Sequence, residues 1–301
     1  MSIAYLGKNP VTFGFQAAQK LGETDEMIGC ASHAEVYETV AKGDADLGLL
    51  ALENQLAGIV DESTHSIIDP ILTQAKPLSK SDTIVRIARE VTVPVELYLM
   101  NQSGKVEDIR QIRTHPVPMR QSRGRLDELS LGARFSRETC LSTDAAAQAA
   151  SEDPEVAAIA SKLAPSGYPN LKVIQRIDDP IPNANYENVT RFWVIEKHPG
   201  GTILDPAMVK ASGVTHKICL LFNLERDESG GLARSLQVFA ENGINLAMIF
   251  SLPRRDRSWE YTFVLEFEVE AADIDQADSA LEALGEFDDF TLLGIYPKAQ
   301  G

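Results

Sequence analysis

The chain has 301 residues, of which 44% are hydrophobic and 24% are charged, and these values predict a globular protein of about two domains. A formal net charge of −16 argues against binding to nucleic acid or to an anionic membrane surface. No apolar run approaches the roughly 20 residues that a membrane-spanning helix needs. The opening MSIAYLGKNP lacks the basic and apolar segments of a signal peptide, so we expect a cytoplasmic protein.

The three cysteines, Cys30, Cys140 and Cys219, are widely separated and odd in number. This spacing indicates free thiols in a reducing compartment rather than a disulfide framework or a metal site. Cys140 precedes a predicted helix, and without a nearby base we expect a small buried thiol rather than a nucleophile. The histidines are scattered too, and His115 is the only one beside a motif; we expect it to pack or hydrogen-bond rather than catalyse.

Strand and helix patterns alternate over the first two hundred residues, which predicts an α/β fold with its chemistry at strand ends. The predicted strands are SIAYLG, ADLGLLALEN, TIVRIAREVTVPVELYLMN (read as more than one strand), IRQIRTHP and VAAIAS. The predicted helices are FGFQAAQKLG and STDAAAQAASED, the second with Ser142 or Thr143 as its N-cap.

The segment NVTRFWVIEK, residues 188–197, joins a polar start to an apolar strand. The run from Phe192 to Ile195 has the aromatic and β-branched residues of a buried strand. Asn188, Thr190 and Arg191 do not fit a core. On these residues alone, a binding site at the strand end and an exposed loop both stay open.

A change of composition follows near residue 196, where EKHPGGTILDPAMVKASGVTH is rich in glycine and proline and resembles a linker. Beyond it, KICLLFNLE, GGLARSLQVFAENG, INLAMIFSLP, WEYTFVLEFEVE, ADIDQADSALEALGE and FTLLGIYP predict the order strand–helix–strand–strand–helix–strand. That order is the ferredoxin-like arrangement.

Six segments, in order, resemble the bacterial prephenate dehydratase family, of which this chain would be a divergent member. They are AYLGKNPVTFGFQAA, LALENQLAGIV, RTHPVPMRQS, STDAAA with AAIAS, NVTRF, and GGLARSLQVFAENGINL. The resemblance implies a two-lobed, binding-protein-like α/β catalytic domain at 1–200, a linker at 201–213 and a ferredoxin-like ACT domain at 214–301.

The resemblance also implies a function, because the family removes carbon dioxide and hydroxide from prephenate to give phenylpyruvate for phenylalanine biosynthesis. Such a lyase acts on a small diacid and needs no cofactor. Thr190 would donate to the leaving hydroxyl, because such a hydrogen bond strengthens as charge develops. Arg191 would hold a carboxylate with its fork of donors or organise the site. The family implies a homodimer or homotetramer through the ACT and catalytic domains.

Further residues are expected to bind the substrate through hydroxyl, amide or ring groups. For each of them a structural role stays open: a turn for the amide, helix caps for the hydroxyls at helix starts, and the core for the ring. The residues are Asn54, Thr12, Ser142, Thr143, Ser161 and Phe192.

The predicted pocket departs from the family pattern at several positions, and the segment before Thr190 is longer than usual. The departing residues are Pro10, Val11, Gly14, Gln55, Ala57 and Val117. Alternatives therefore stay open: an enzyme for arogenate or a modified prephenate, a prephenate decarboxylase that does not aromatise, a non-catalytic metabolite sensor, or a structural partner of another enzyme.

The ACT domain departs as well, because the family's Glu-Ser-Arg-Pro signature reads FSLP at Phe250–Pro253. An amino-acid effector needs polar partners when it is buried. We therefore expect weak or absent feedback by phenylalanine and a domain that serves mainly in dimerisation. The residues that keep the effector-site pattern are Gly230, Gly231, Leu232, Asn245 and Leu246.

Overall fold

The structure is a computed structural model that describes residues 1–7, 9–22, 25–73, 85–129, 135–180, 187–198, 203–224, 228–254 and 259–299. Within these ranges, strands and helices alternate along most of the chain. No helix among the described residues is long and apolar enough to cross a membrane.

The secondary-structure elements are numbered in chain order. The strands are β1 Ser2–Leu6, β2 Glu26–Cys30, β3 Leu47–Asn54, β4 Gly58–Ile59, β5 Val85–Pro94, β6 Tyr98–Asn101, β7 Gln111–Thr114, β8 Ser136–Thr139, β9 Val156–Ala160, β10 Lys172–Arg176, β11 Val189–Lys197, β12 His216–Leu224, β13 Leu246–Pro253, β14 Tyr261–Val269 and β15 Asp288–Pro297. The α-helices are α1 Phe13–Lys20, α2 His33–Lys42, α3 Asp61–Leu72, α4 Pro116–Gln121, α5 Arg123–Leu129, α6 Thr143–Glu152, α7 Ala164–Gly167, α8 Pro206–Ser212, α9 Gly231–Glu241 and α10 Ile274–Leu284.

The chain divides into two compact units. The first comprises Met1–Val36, Leu49–Val60 and Thr92–Phe192, and the second comprises Tyr37–Gly48, Asp61–Val91 and Trp193–Gly301. The division falls inside β3, β5 and β11, each of which contributes residues to both units. It differs from the predicted limits at 1–200, 201–213 and 214–301, which stay a prediction.

The first unit contains a five-stranded sheet with the order β10-β6-β9-β7-β8, in which β7 runs parallel to β8 and β9. Its central strand β9 is buried along its whole length, which explains the uninterrupted apolar sequence VAAIA. Ala157 and Ile159 face one hydrophobic cluster, whereas Val156, Ala158 and Ala160 face a second cluster that includes the alanines of α6. Alternate residues of β9 thus fill cores on both faces of the sheet.

The other strands of the first unit supply the remaining strand ends. β1 pairs with β2 in parallel, and β3 lies beside β1 and pairs with the short β4 in an antiparallel hairpin. Gly7 ends β1 with a φ of +116°, a conformation that favours glycine. A Cβ at Gly7 would overlap the side chain of Thr12, so the turn also needs the missing side chain.

The second unit contains the predicted ferredoxin-like arrangement, β12-α9-β13-β14-α10-β15, with the sheet order β13-β14-β12-β15. β5 extends this sheet by a parallel pairing with β15, in which Gly294 lies opposite Ile87. A Cβ at Gly294 would fall on the backbone of Ile87, so the close approach of the two strands requires glycine.

The segment predicted as a linker contains a short packed helix, α8. Asp205 caps α8, because its carboxylate accepts hydrogen bonds from the backbone N–H groups of Ala207 and Met208 at 3.0 and 3.2 Å. Ile203, Leu204 and Val209 are buried in the same hydrophobic cluster as the strands and helices of the ferredoxin-like arrangement. Their burial makes residues 203–212 part of the second unit's core.

The same unit buries charged side chains between strands. The Lys217 ammonium lies 2.9 Å from a carboxylate oxygen of Glu90 and 3.4 Å from one of Glu266. Tyr296 donates its hydroxyl hydrogen to Glu266, and the backbone N–H of Ala299 donates to Glu90 at 3.0 Å. Since a buried charge without partners is strongly destabilising, this cluster specifies how β5, β12 and β14 fit together.

A buried histidine near the end of β2 makes stability depend on pH. His33 is the first residue of α2 and is only 4% exposed, and burial lowers its pKa to about 4. Its Nδ1 has no hydrogen-bond partner among the described residues. The charged imidazolium is therefore disfavoured in the folded protein.

We predict that His33 contributes to acid destabilisation. Because the folded pKa lies below the unfolded value of 6.5, the unfolded chain binds more protons as the pH falls through 6.5 towards 4. Between pH 7 and pH 5, the free energy of unfolding should fall in both proteins. The fall should be about 2 kcal/mol larger in the wild type than in His33→Phe. Urea unfolding at the two pH values measures this difference, and equal losses in both proteins would contradict it.

Candidate functional site

Thr190 lies in a buried polar cluster formed where β3 ends and β11 begins. Asn54, the last residue of β3, directs its amide nitrogen Nδ2 at three oxygens. These are Oδ1 of Asn188 at 2.8 Å, the carbonyl oxygen of Val189 at 3.2 Å and Oγ1 of Thr190 at 3.1 Å. Asn188 and Thr190 lie on the same side of the strand because successive strand residues alternate between its faces.

The orientation of the Asn54 amide is also fixed by the contacts of its oxygen atom. Its Oδ1 accepts hydrogen bonds from the backbone N–H groups of Leu56 and Ala57 at 3.1 and 3.0 Å and from Nε2 of Gln121 at 3.0 Å. Rotating the amide by 180° would set three donors against an NH₂ group and three acceptors against an oxygen. The hydrogen-bond network therefore permits one orientation, in which Asn54 donates to Thr190.

This arrangement leaves the hydroxyl hydrogen of Thr190 for another acceptor. Oγ1 accepts from Asn54, and no described residue accepts the hydrogen that Oγ1 itself carries. Donation into a hydroxyl oxygen polarises its O–H bond and strengthens it as a donor. With a side chain only 9% exposed, Thr190 is a sheltered and oriented donor.

Arg191 is also held by the end of β3. Its Nε donates to Oε1 of Glu53 at 2.9 Å, and the exposed fractions of the two side chains are 11% and 36%. The hydrogen bond that Nε donates to Glu53 restricts the orientation of the guanidinium plane. The role predicted for Arg191, binding a substrate carboxylate or organising the site, stays a prediction.

The loop between β1 and α1 uses its predicted site residues in contacts within the protein. Thr12 caps α1, because its Oγ1 accepts from the N–H of Phe15 at 3.1 Å and donates to the carbonyl oxygen of Leu6 at 3.0 Å. Ser161, just after β9, donates its hydroxyl hydrogen to the carbonyl oxygen of Val11 at 2.7 Å. The structure thus shows structural roles for both hydroxyls, and their binding roles stay predictions.

The remaining candidates take the structural roles that the sequence had left open. Ser142 is the N-cap of α6 and accepts from the N–H of Ala145 at 3.0 Å, with Thr143 as the first helical residue. His115 caps α4 in the same way by accepting from Val117 at 3.3 Å, and burial followed by the nearby Arg120 lowers its pKa. Phe192 is buried, as a core residue would be.

Burial raises the pKa of the Cys140 thiol, as expected of a packing residue rather than a nucleophile. Its Sγ lies 3.2 Å from the carbonyl oxygen of Ser142. Among the described residues, no group of three or more histidine, cysteine or carboxylate side chains is arranged to hold a metal ion.

The predicted effector residues lie at the start of α9 and of β13. Gly230 precedes α9 with a φ of +86°, and Gly231 is buried as its first residue. Leu232 and Leu246 pack against the core of the second unit, whereas Asn245 is exposed. These positions keep the shape of a helix entry, and an effector role for them stays a prediction.

Sequence reasoning missed two members of the polar cluster as site residues, Glu53 and Gln121. Asn188 was noted with Thr190 as unsuited to a core, and it lies two residues before Thr190, on the same face of the strand. Glu53 directly precedes Asn54. For Gln121 no local pattern was available, because its contact with Asn54 joins residues 67 apart in sequence.

Two family models match two successive regions of the chain. The family model described as prephenate dehydratase matches residues 3–200, and the ACT domain model matches residues 220–286. The chain is 30% identical to the bifunctional chorismate mutase/prephenate dehydratase of Aquifex aeolicus, over 99% of this chain and 74% of that protein. It is 29% identical to arogenate dehydratase/prephenate dehydratase 1 of Arabidopsis thaliana, over 96% and 70%.

Solved structures agree over nearly the whole chain. The prephenate dehydratase of Arthrobacter aurescens in complex with L-Phe has a TM-score of 0.78 and 25% identity, and the match covers 99% of this chain and 90% of that one. A protein described as a novel type of quorum-quenching acylase, GqqA, has a TM-score of 0.76 and 26% identity over 99% and 98%.

We predict that Asn54→Asp destabilises the protein more than Asn54→Ala. A carboxylate has no hydrogen to donate, so it would face the oxygens of Asn188, Val189 and Thr190 with its own charge. Leaving such groups unpaired should cost at least about 2 kcal/mol in the free energy of unfolding, measured in urea at pH 7.

The matched control is Asn170→Asp, because Asn170 donates only to the carbonyl oxygen of Ser151 at an exposed site. It should lower stability by less than about 1 kcal/mol. Equal effects of Asn54→Asp and Asn54→Ala would show that the orientation of the Asn54 amide does not matter.

Proposed function

The chain belongs to the prephenate dehydratase family, and on that premise we propose that Thr190 is the donor to the leaving hydroxyl when the enzyme converts prephenate to phenylpyruvate. The predicted family and the predicted fold class are confirmed by the matches to prephenate dehydratases and ACT domains over almost the whole chain. The predicted lyase activity in phenylalanine biosynthesis is that of the family.

The reaction needs one sheltered hydrogen-bond donor at the departing oxygen. The carbon–carbon bond to the ring carboxylate breaks and releases carbon dioxide. Its electron pair enters the ring as the carbon–oxygen bond to the hydroxyl breaks, and aromatisation supplies the driving force. A donor already aimed at that oxygen stabilises the negative charge that develops on it.

The observation that carries this proposal is the hydrogen bond from Asn54 to Thr190. Because Oγ1 of Thr190 already accepts from Asn54 at 3.1 Å, its own hydrogen is directed away from Asn54 and towards a further acceptor. Asn54 therefore acts as a residue that positions Thr190, which differs from the substrate-binding role first expected for its amide. Arg191, held by Glu53, is the proposed partner of a substrate carboxylate.

We predict that Thr190→Val lowers kcat on prephenate by about 100-fold or more, as expected when a donor to the leaving group is removed. Valine keeps the shape of threonine and removes only the hydroxyl. Thr190→Ser should recover most of the lost activity because it restores the donor. Phenylpyruvate is followed by its ultraviolet absorbance, and the product is identified by mass spectrometry.

The control is Thr262→Val. Thr262 is a buried threonine of β14 whose hydroxyl donates to a buried asparagine, Asn223, whereas that of Thr190 accepts from Asn54. The Thr262→Val variant should be less stable than the wild type and should have the same kcat. A loss of less than a few-fold in Thr190→Val would remove Thr190 from the mechanism.

The proposal also includes a choice between prephenate and related substrates. We place prephenate first, with arogenate or a modified prephenate as the alternative because similar plant proteins are described as arogenate dehydratase/prephenate dehydratase. Parallel assays of the two compounds at equal concentration decide between them. A decarboxylated product that is not aromatic would identify a prephenate decarboxylase, and binding without turnover would identify a sensor.

We propose that the chain assembles as a homodimer or homotetramer through its ACT and catalytic domains. The support is β13, an edge strand whose eight residues, LAMIFSLP, carry no charge and include the exposed side chain of Ile249. An uncharged apolar edge strand tends to pair with another chain. A monomeric mass in light scattering at micromolar concentration would contradict this proposal.

We also propose a cytoplasmic location. Cys30, Cys140 and Cys219 are not joined in disulfides, which is usual for proteins of a reducing compartment. Recovery of the full-length protein outside the cytoplasm on cell fractionation would contradict it.

We predict that phenylalanine regulates this enzyme weakly. On β13, the side chains of Phe250 and Leu252 stand where the family signature has an acid and an arginine, and Leu252 is buried. Neither can pair with the charged groups of an amino acid. If phenylalanine did bind, a concentration of about 100 times its Kd would raise the free energy of unfolding by about 2.7 kcal/mol.

In a thermal-shift assay, we therefore expect millimolar phenylalanine to leave Tm unchanged and turnover within two-fold. Tyrosine serves as a control for non-specific effects. A clear rise in Tm together with inhibition would show that the altered strand still binds phenylalanine.

A further inference from the structure

The loop after β1 is fastened to the five-stranded sheet of the first unit by side chains that the reaction does not otherwise use. We call residues 9–12 the strap. Nδ2 of Asn9 donates to Oδ1 and Oδ2 of Asp144 at 3.2 and 3.1 Å and to the hydroxyl of Tyr168 at 2.9 Å. Tyr168 in turn donates to Oδ1 of Asp144 at 2.9 Å. All three side chains thus form a closed ring of hydrogen bonds.

The strap is also held by its backbone and by packing. Val11 is only 4% exposed, and its carbonyl oxygen accepts from Ser161 at 2.7 Å. Gly167 lies so close to Val11 that an added Cβ would stand 2.8 Å from the Val11 side chain. Three points beyond the strap, at α6, after β9 and at α7, therefore fix the path of residues 9–11.

The ring of hydrogen bonds is stronger than an ordinary surface contact. Asp144 is a carboxylate, and hydrogen bonds to a charged group are about twice as strong as neutral ones. Burial, followed by the contact with Asp144, raises the pKa of Tyr168 to about 12. The hydroxyl of Tyr168 keeps its hydrogen at neutral pH, as an ordinary tyrosine does, and stays a donor to Asp144.

The strap ends at Thr12, which caps α1 and begins a helix whose first N–H groups can hold an anion. Moving the strap would move Thr12 and these N–H groups together. The family substrate carries two carboxylates, and the N–H groups at a helix start are suited to bind one of them. The inference rests on the proposed function for its substrate and on the structure for its geometry.

We propose that Asn9, Asp144 and Tyr168 form a latch that positions the strap and the start of α1 for binding the substrate. None of the three touches the reacting atoms, so they are positioning residues. Their effect falls on KM, because the latch acts before chemistry, whereas the donor pair of Asn54 and Thr190 determines kcat.

Four variants test the latch by steady-state kinetics. Asn9→Ala and Tyr168→Phe each remove part of the ring and should raise KM by about five- to ten-fold, with kcat changed less than two-fold. Asn9→Asp should raise KM further, because it sets a second carboxylate against Asp144. The exchanged pair Asn9→Asp with Asp144→Asn restores one carboxylate and one amide and should return KM to within about three-fold of the wild type.

The control variant is Asn170→Ala, which removes an exposed asparagine bonded only to the carbonyl oxygen of Ser151, at the end of α6. Its KM should equal that of the wild type. If KM stays within two-fold in Asn9→Asp, or if the exchanged pair is no better than Asn9→Asp alone, the latch has no part in binding.

Hydrogen exchange of the free protein tests the geometry without any turnover. Amides of residues 9–16 should exchange several-fold faster in Asn9→Ala than in the wild type, and those of β9 should not change. Unchanged exchange in the strap overturns the latch even if KM rises. If the wild type turns over neither prephenate nor arogenate, the proposed function fails while this measurement still decides the latch.

Discussion

The orientation of one buried amide determines the rest of the candidate site. Asn54 is surrounded by three donors at its oxygen and three acceptors at its nitrogen, so its two ends cannot be exchanged. This constraint makes Thr190 an acceptor towards Asn54 and leaves its hydrogen for another acceptor, which we propose is the leaving hydroxyl of the substrate. A weak acid in water thereby becomes a directed donor without any change in its own chemistry.

The partners of Asn54 come from distant parts of the sequence, which limits what sequence reasoning could find. Two N–H groups belong to the turn directly after β3, and their contribution follows from the chain's own geometry. Gln121, in contrast, ends α4 and reaches Asn54 only because the five-stranded sheet places that helix opposite the end of β3. Propensities and hydrophobic periodicity describe neighbours along the chain, so a contact of this kind becomes visible only in the folded structure.

The sequence predicted many elements with strong patterns, but it missed the helices α2 and α3 as well as strands with weak patterns. The ferredoxin-like order was found because its strands and helices have clear apolar periods, and β9 because it is apolar throughout. β8 and β10 were missed, since nearly all their residues are exposed and carry no period. The linker stays a prediction, and the sequence did not predict the helix inside it, in which Pro206 begins α8 and Val209 packs in the core.

Some departures from the family pattern can be explained by whether the backbone or the side chain of the residue makes its contacts. At Ala57 the backbone N–H donates to Asn54, and at Gln55 the backbone N–H donates to Val189, so either side chain can change without loss of these hydrogen bonds. At Gly14, even a Cβ would stand 3.1 Å from the carbonyl oxygen of Leu6, which makes glycine the fitting residue for this turn. The side chains at Gln55 and Ala57 therefore take no part in the hydrogen bond between Asn54 and Thr190. With Thr190 in the role proposed above, changes of side chain at Gln55 and Ala57 leave the donor to the leaving hydroxyl in place, because their contacts are made by the backbone.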